Sequence, residues 1–255
     1  MRTALVTGAA RGIGLATAKR FLADGWRVLM LDRLEETLRE AHAEMASNAA
    51  HTIAADVSDP AQVDRSIDEA VEIAGRLDAL VNNAGVAEFR AAAATDLALW
   101  REIMATNLDG PFMMTTRAAP ILARDGGGAV VNIGSISGLR ASILRTAYGT
   151  SKAALTHLTK QHAAEFGEIG VRVNLVAPGP VETAMAAKVH DAAIRRDYRD
   201  HIPLGRYGGE DELANAIVWL SGSEASYVTG QVLAVDGGFD AAGIGLPTFR
   251  GETDA

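Results

Sequence analysis

The sequence contains no cysteine. Disulfide bonds, zinc–thiolate sites and thiol nucleophiles are therefore excluded, and the absence suits a reducing compartment. No run of about 18 apolar residues occurs, so no transmembrane helix is predicted. Runs of Lys and Arg are also absent, and the formal net charge of −8 disfavours a nucleic-acid partner. The opening "MRTALVTG" is predicted to enter a strand at once and leaves no room for a signal peptide. We expect a cytoplasmic protein with neither a nucleic-acid nor a membrane partner.

Short apolar runs rich in β-forming residues alternate with longer helical patterns along the 255 residues. The alternation predicts parallel βαβ units, and runs that are apolar on both faces predict helices on both sides of the sheet. The predicted fold class is α/β: one Rossmann-type, doubly wound parallel sheet of about seven strands, in a single catalytic domain over residues 1–255. The predicted strands are 3–7, 27–31, 51–55, 79–82, 129–133, 171–177 and 231–236, and the predicted helices are 13–23, 34–46, 60–75, 97–123 and 146–167.

Two segments depart from this alternation. Residues 184–209 contain no clear strand and are long for a connection, which is typical of an active-site lid or a substrate loop. Residues 240–255 show no firm pattern, and we expect an irregular tail there.

A glycine-rich stretch, "TGAARGIG" (7–14), follows the first predicted strand and opens the first helix. Its glycines allow a tight turn and a close approach of backbone N–H groups to a pyrophosphate, and the helix amino terminus favours negative charge. The alternative is a plain glycine-rich turn, but the position at the first strand–helix junction favours phosphate binding. The cofactor-binding residues predicted here are Gly8, Arg11, Gly12, Ile13 and Gly14.

Asp32 lies at the end of the second predicted strand. A carboxylate at this position can accept hydrogen bonds from an adenosine ribose and repel a 2′-phosphate, which favours NAD over NADP. The same stretch, "DRLEE", also suits a helix N-cap. Arg33 or Arg11 could tolerate a 2′-phosphate, so NADP is the less favoured alternative.

Four further motifs follow in order: "NNAG" (82–85), "GSISG" (134–138), "YGTSK" (148–152) and "PGPVET" (178–183). With the glycine-rich stretch, they closely resemble the short-chain dehydrogenase/reductase family over residues 3–239. The resemblance implies reversible hydride transfer between a nicotinamide and a carbonyl or alcohol, and a homotetramer formed through the two long helices. It maps a catalytic tetrad onto Asn107, Ser135, Tyr148 and Lys152. It also implies cofactor contacts at Asp56, Val57, Asn83, Ala84, Gly85, Tyr148, Lys152, Pro178, Gly179 and Thr183, and substrate contacts at Ser135, Ser137 and Tyr148.

Physical chemistry supports the tetrad. Lys152 lies one helical turn from Tyr148, so its charge should lower the pKa of the tyrosine towards the working range of a general acid/base. Ser135 follows the fifth strand at the edge where such folds bind ligands, although it could be a turn serine. Asn107 interrupts a helical pattern, and the resemblance implies that it bends the helix and holds a water in a proton relay. The alternative is a local kink with no catalytic part. "GSISG" does not fit a serine-hydrolase elbow, because Ile136 occupies the position of the nucleophile.

The substrate is less constrained by the sequence. By resemblance, the pocket should involve Val86, Glu88, Phe89, Ser137, Leu139, Pro180 and residues 184–209, while Arg140, Arg145, His190, Arg195, Arg196 and Tyr198 could meet a charged or hydroxylated substrate. The histidines form no HExxH pattern, and we predict no metal site. The favoured function is oxidation of a secondary alcohol, polyol or sugar with NAD, with Tyr148 as the acid/base. The alternatives are a 3-oxoacyl-(acyl carrier protein) reductase and a nicotinamide-binding sensor without turnover.

Overall fold

The described residues form a sheet of seven strands, all parallel to their neighbours, in the order β3-β2-β1-β4-β5-β6-β7. The structure is a computed structural model that describes residues 1–124 and 126–243. The predicted fold class is confirmed, and each strand end lies within one residue of its predicted position. The strands are β1 Thr3–Thr7, β2 Arg27–Asp32, β3 Ala50–Ala54, β4 Ala79–Asn82, β5 Gly128–Ile133, β6 Val171–Pro178 and β7 Val232–Val235.

Helices cover both faces of the sheet, and a large apolar core lies on each face. On one face, Phe21 and Ile217 pack with sheet residues such as Val6. On the other, Ile67 and Met114 pack against the opposite side of the strands. The described helices are α1 Gly12–Ala23, α2 Glu35–Met45, α3 Pro60–Ala74, α4 Leu97–Met104, α5 Gly110–Ala123, α6 Thr146–Phe166, α7 Ala184–Val189, α8 Ala192–His201 and α9 Glu210–Ser221.

The structure differs from the predicted helices in three places. The long helical pattern over 97–123 is divided into α4 and α5 by a π turn at Ala105–Asp109. The segment 184–209 contains the two short helices α7 and α8 rather than an open loop. Helix α9 was not predicted at all.

The start of α9 had a signal in the sequence. Its first turn carries Glu210, Asp211 and Glu212, which complement the positive end of the helix. The Glu212 carboxylate also accepts a hydrogen bond from the Gly209 N–H at 2.8 Å. The stretch "GGEDEL" therefore carries a helix-start pattern.

The predicted tail is described only in part. Residues 240–243 form turns and bends, whereas residues 244–255 lie outside the described part of the chain. Within the described part, no helix has both the length and the apolar character needed to cross a membrane.

Candidate active site

A cleft of about 540 Å³ lies at the carboxyl ends of the strands. The strand order reverses between β1 and β4, and doubly wound sheets bind ligands at this point. The cleft brings together nearly all the residues predicted from distant motifs. The predicted residues that line it are Gly8, Arg11, Gly12, Ile13, Asp32, Asp56, Val57, Asn83, Ala84, Gly85, Ser135, Ser137, Tyr148, Lys152, Pro178, Gly179 and Thr183.

Gly14 does not line the cleft, and its role is packing. A Cβ atom there would lie 2.1 Å from the Gly8 carbonyl oxygen, so only glycine lets α1 approach the preceding turn. Gly8 itself has a φ of +65° and lies against the backbone of Ala84. No side chain caps the amino terminus of α1, which leaves its first N–H groups available to a ligand. This cradle fits the pyrophosphate of a dinucleotide.

The cradle is tied to the end of β4 through hydrogen bonds. The Asn83 amide donates to the carbonyl oxygens of Thr7 and Gly8 at 2.9 and 3.0 Å. The Thr7 hydroxyl accepts from the N–H groups of Asn83 and Ala84, both at 3.0 Å. These bonds fix the two strand ends on either side of the cleft.

Asp32 is fixed at the far end of the cradle. One carboxylate oxygen accepts from the Ala10 N–H at 3.1 Å and the other from the Leu34 N–H at 3.0 Å. Asp32 is not the N-cap of α2, because that helix begins at Glu35 and its N-cap is Leu34.

Arg33 lies beside the Asp56 carboxylate, with 3.4 Å between the guanidinium nitrogen and the carboxylate oxygen. Burial opposes ionisation of Asp56, but hydrogen bonds from the N–H and hydroxyl of Ser58, with the charge of Arg33, outweigh it and lower the pKa of Asp56. The Arg33 guanidinium is therefore already partly engaged at this edge of the cleft.

Tyr148 and Ser135 meet at the opposite end. Ser135 is 9% exposed at the end of β5, and its hydroxyl accepts from the Ser137 N–H at 3.1 Å. Burial raises the pKa of Tyr148, while a hydrogen bond with Ser135 and the charge of Arg145 act to lower it. The net lowering that we expected from Lys152 is not found in the protein alone.

Lys152 is deeply buried, with 4% of its surface exposed. Its ammonium group donates to the Ile133 carbonyl oxygen at 2.7 Å and lies 5.9 Å from the centroid of the Tyr148 ring. Burial lowers the pKa of Lys152 to about 8. The group therefore remains largely protonated at neutral pH and is held beside the tyrosine.

Asn107 lies behind the cleft, in the π turn, and has no exposed surface. Its side-chain oxygen accepts from the Val86 N–H, and its side-chain nitrogen donates to the Val86 carbonyl, both at 2.9 Å. The same nitrogen donates to the Ser151 hydroxyl at 3.1 Å. Asn107 thus connects the chain after β4 to α6, which carries Tyr148 and Lys152.

The substrate end of the cleft is formed by side chains from three parts of the chain. Of the residues we considered there, those that line it are Val86, Phe89, Ser137, Arg145, Pro180, His190 and Tyr198; Glu88, Leu139, Arg140, Arg195 and Arg196 do not. Sequence reasoning missed Thr106, which lines the cleft next to Asn107. Its position beside Asn107, where the helix was predicted to be interrupted, could have indicated it.

In the described part of the chain, no group of three or more His, Asp or Glu side chains is arranged to hold a metal.

Comparison with known proteins agrees with this architecture. Residues 8–240 match a family described as enoyl-(acyl carrier protein) reductase. The galactitol 2-dehydrogenase (L-tagatose-forming) of Cereibacter sphaeroides is 40% identical over 239 residues, which cover 92% of this chain and 94% of that protein. The 3-oxoacyl-(acyl-carrier-protein) reductase of Thermotoga maritima is 36% identical over 239 residues, which cover 93% of this chain and 97% of that protein.

The solved structure of a short-chain type dehydrogenase/reductase from Mycobacterium ulcerans superposes with a TM-score of 0.91 at 33% identity, covering 94% of this chain and 90% of that one. The chain therefore belongs to the short-chain dehydrogenase/reductase family, and it is an oxidoreductase that acts on CH–OH groups with a nicotinamide cofactor.

Proposed function

We propose that the protein oxidises a secondary alcohol of a polyol or sugar with NAD, and that Tyr148 is the general acid/base. The observation that carries the proposal is the convergence of Ser135, Tyr148 and Lys152 at one end of a cleft whose other end is the glycine cradle. The similarity to a galactitol dehydrogenase supports the substrate class. A cytoplasmic location and a homotetramer remain predictions.

The proton is handled by the chain's own residues. Ser135 donates a hydrogen bond to the substrate oxygen, and Tyr148 takes the hydroxyl proton as the alcohol becomes a ketone. When bound, the nicotinamide supplies the hydride acceptor, or the hydride donor in the reverse direction. Lys152 provides a positive charge that favours the tyrosinate once the alcohol proton has been taken. Asn107 positions α6 through its bond to Ser151.

The cofactor is expected to lie along the cleft. The cradle residues Gly8, Arg11, Gly12 and Ile13 would hold the pyrophosphate, and Asp56 and Val57 would contact the adenine. Asn83, Ala84 and Gly85 would line the channel, and Pro178, Gly179 and Thr183 would hold the nicotinamide end, with Lys152 on the ribose.

The preference for NAD follows from Asp32. Two backbone N–H groups hold this carboxylate at the end of β2, where it would accept from ribose hydroxyls and repel a 2′-phosphate. The ion pair of Arg33 with Asp56 supports the same preference, because it occupies one of the two cations that could bind that phosphate.

The second candidate is a 3-oxoacyl-(acyl carrier protein) reductase. The relative from Thermotoga maritima favours it. Asp32 opposes it, because this carboxylate would repel the 2′-phosphate of NADPH. The net charge of −8 also opposes it, since an acidic carrier protein needs a basic surface.

Initial rates of NADH or NADPH appearance with a panel of polyols, sugars, hydroxy acids and cyclic alcohols test the proposal. The panel is complemented by the reverse reaction with an acetoacetyl thioester. We expect turnover of a polyhydroxylated secondary alcohol, with NAD preferred over NADP. Turnover of the thioester alone, with NADPH, would instead establish the acyl reductase.

A further inference from the structure

The substrate end of the cleft holds a guanidinium without an ion-pair partner among residues 1–124 and 126–243. It belongs to Arg145, which lines the cleft immediately before α6. Its Cζ atom lies 4.0 Å from the centroid of the Phe89 ring and 5.4 Å from the centroid of the Tyr148 ring. A permanent cation therefore lies within a side chain's length of the reacting hydroxyl.

The neighbouring arginines are engaged elsewhere. Arg140 pairs with Asp240 at 2.9 Å and does not line the cleft. Arg195 donates to both carboxylate oxygens of Glu182 at 2.8 Å. The carboxylates of Asp240 and Glu182 therefore pair with Arg140 and Arg195, and neither of them forms an ion pair with Arg145.

The backbone fixes the position of Arg145. Leu144, just before it, has a φ of +61°, a left-handed conformation that is costly for a bulky residue. The Leu144 carbonyl accepts from the Arg90 N–H at 3.0 Å, which ties this turn to the loop that carries Phe89. Stacking on Phe89 then restrains the plane of the guanidinium.

We propose that Arg145 binds a carboxylate of the substrate, so that, within the polyhydroxylated alcohols of the proposed function, a sugar acid such as an aldonate is preferred to the corresponding neutral polyol. A guanidinium presents parallel N–H groups that match a carboxylate in a two-bond arrangement. One free guanidinium suits one negative charge. The carboxylate is unchanged by the reaction: the carbinol C–H gives its hydride to the cofactor, and the hydroxyl gives its proton to Tyr148.

A second side chain at the substrate end, His190, is compatible with the assignment. His190 lies in the cleft wall, and its ring nitrogen is 3.1 Å from the Tyr207 hydroxyl. Burial, followed by the charges of Arg145 and Arg195, lowers the pKa of His190. A neutral His190 can bond a substrate hydroxyl without competing with Arg145 for the carboxylate.

The inference rests on the proposed function and is tested with matched pairs of substrates. Alditols and aldonates of equal carbon number and configuration, from four to six carbons, are compared by kcat/KM with NAD. We expect the aldonate to be preferred in the wild-type protein. In Arg145→Gln the ratio of aldonate to alditol kcat/KM should fall about 10- to 100-fold, as expected for loss of a hydrogen bond between charged groups. The ratio is the informative quantity, because any effect of Arg145 on the pKa of Tyr148 acts on both substrates.

Arg140→Gln is the matched control, and its ratio should stay within about threefold of the wild type. Preference of the wild-type protein for alditols, or an unchanged ratio in Arg145→Gln, would overturn the assignment. If no alcohol in the panel reacts, the proposed function fails, and calorimetric titration with glutarate still decides the role of Arg145. We expect glutarate binding to the wild-type protein and at least about tenfold weaker binding to Arg145→Gln, whereas equal binding, or none to either protein, would contradict it.

Discussion

At the Tyr148 hydroxyl, two opposing effects act on the pKa. Burial raises it, and the Ser135 hydroxyl and the Arg145 guanidinium lower it. In the protein alone the phenol therefore keeps its proton at neutral pH, a state ready to donate in the reductive direction. Oxidation of an alcohol requires the tyrosinate, and we expect the positive charge of the oxidised nicotinamide to favour that form.

Replacement of Tyr148 by phenylalanine tests this role at a single atom. The ring and its packing are kept while the proton-carrying oxygen is lost, so kcat should fall about 10²- to 10⁴-fold. NADH binding, followed by fluorescence titration, should change by less than about threefold. Tyr227→Phe, at a fully exposed tyrosine, is the control and should keep full activity. Retention of more than about a tenth of the wild-type kcat in Tyr148→Phe would remove Tyr148 from the mechanism.

Lys152 should make the stability of the protein depend on pH. Its pKa falls from 10.5 to about 8 on folding because burial disfavours the charged form. Between these two values the unfolded chain binds more protons than the folded one, so the free energy of unfolding rises as the pH rises through this window. A shift of this size corresponds to about 3 kcal/mol.

The comparison with Lys152→Met isolates this effect. Urea unfolding without cofactor, at intervals from pH 7 to pH 10, should show the wild type gaining about 2–3 kcal/mol relative to the variant, because methionine lacks the titrating group. Parallel stability curves for the two proteins would mean that the ammonium group of Lys152 is well solvated.

At the scale of elements, the π turn between α4 and α5 has a clear structural function. It places the Asn107 amide so that it pairs with both backbone groups of Val86 and with the Ser151 hydroxyl. Single π turns inside helices are uncommon and are frequent at functional sites. The turn therefore couples the chain after β4 to the helix that carries Tyr148 and Lys152.

Asn107→Ala should break this coupling. The fully buried amide leaves two backbone groups of Val86 without partners, and we expect the free energy of unfolding to fall by about 2–4 kcal/mol. If Asn107 also positions Tyr148, the variant should have a lower kcat and a smaller change in KM, because α6 would no longer hold Tyr148 in its correct place. Denaturant titration and steady-state kinetics on the same preparation separate the two effects.

Asn215→Ala, at an exposed asparagine of α9, is the control. A loss of stability in Asn107→Ala with a wild-type kcat would mean that Asn107 has only a structural role.

Elements differ in how far the sequence predicts them. The strands could be located to within one residue because each is a short apolar run bounded by turn residues. The interruption at Asn107 could be predicted, because asparagine is a mediocre helix former, but its π geometry could not, since the other residues of the turn fit a helical pattern. Helix α8 was missed because none of its residues is buried, which leaves little apolar periodicity, and α7 is only six residues long.

At the scale of the whole molecule, parallel topology explains why distant motifs form one cleft. Every strand ends at the same edge of the sheet, so residues 7–14, 82–85, 134–138 and 178–183 meet there. Family resemblance could therefore select the cleft residues in advance. It could not identify Arg145 as a guanidinium at the substrate end without a carboxylate partner among the described residues, because that depends on which arginines find carboxylates in the folded chain.

Assembly is the remaining prediction at this scale. The outer faces of α5 and α6 expose Phe112, Ala153 and Ala164, whereas Ala163 is part of the core. Phe112 is 49% exposed and stacks on His162 at 6.1 Å between ring centroids, which leaves an apolar surface open on one side. A second copy of this chain would bury that surface, and interface contacts between small residues allow helices to pack closely.

We expect a tetramer by size-exclusion chromatography with light scattering. Ala153→Glu should shift it to dimers or monomers, because a carboxylate would be buried without a partner at the helix–helix contact. Glu165→Gln, at an exposed position on the same helix, should leave the tetramer intact and serves as the control. A wild-type monomer would exclude the predicted assembly, and a tetramer that tolerates Ala153→Glu would place the interface on another face of the molecule.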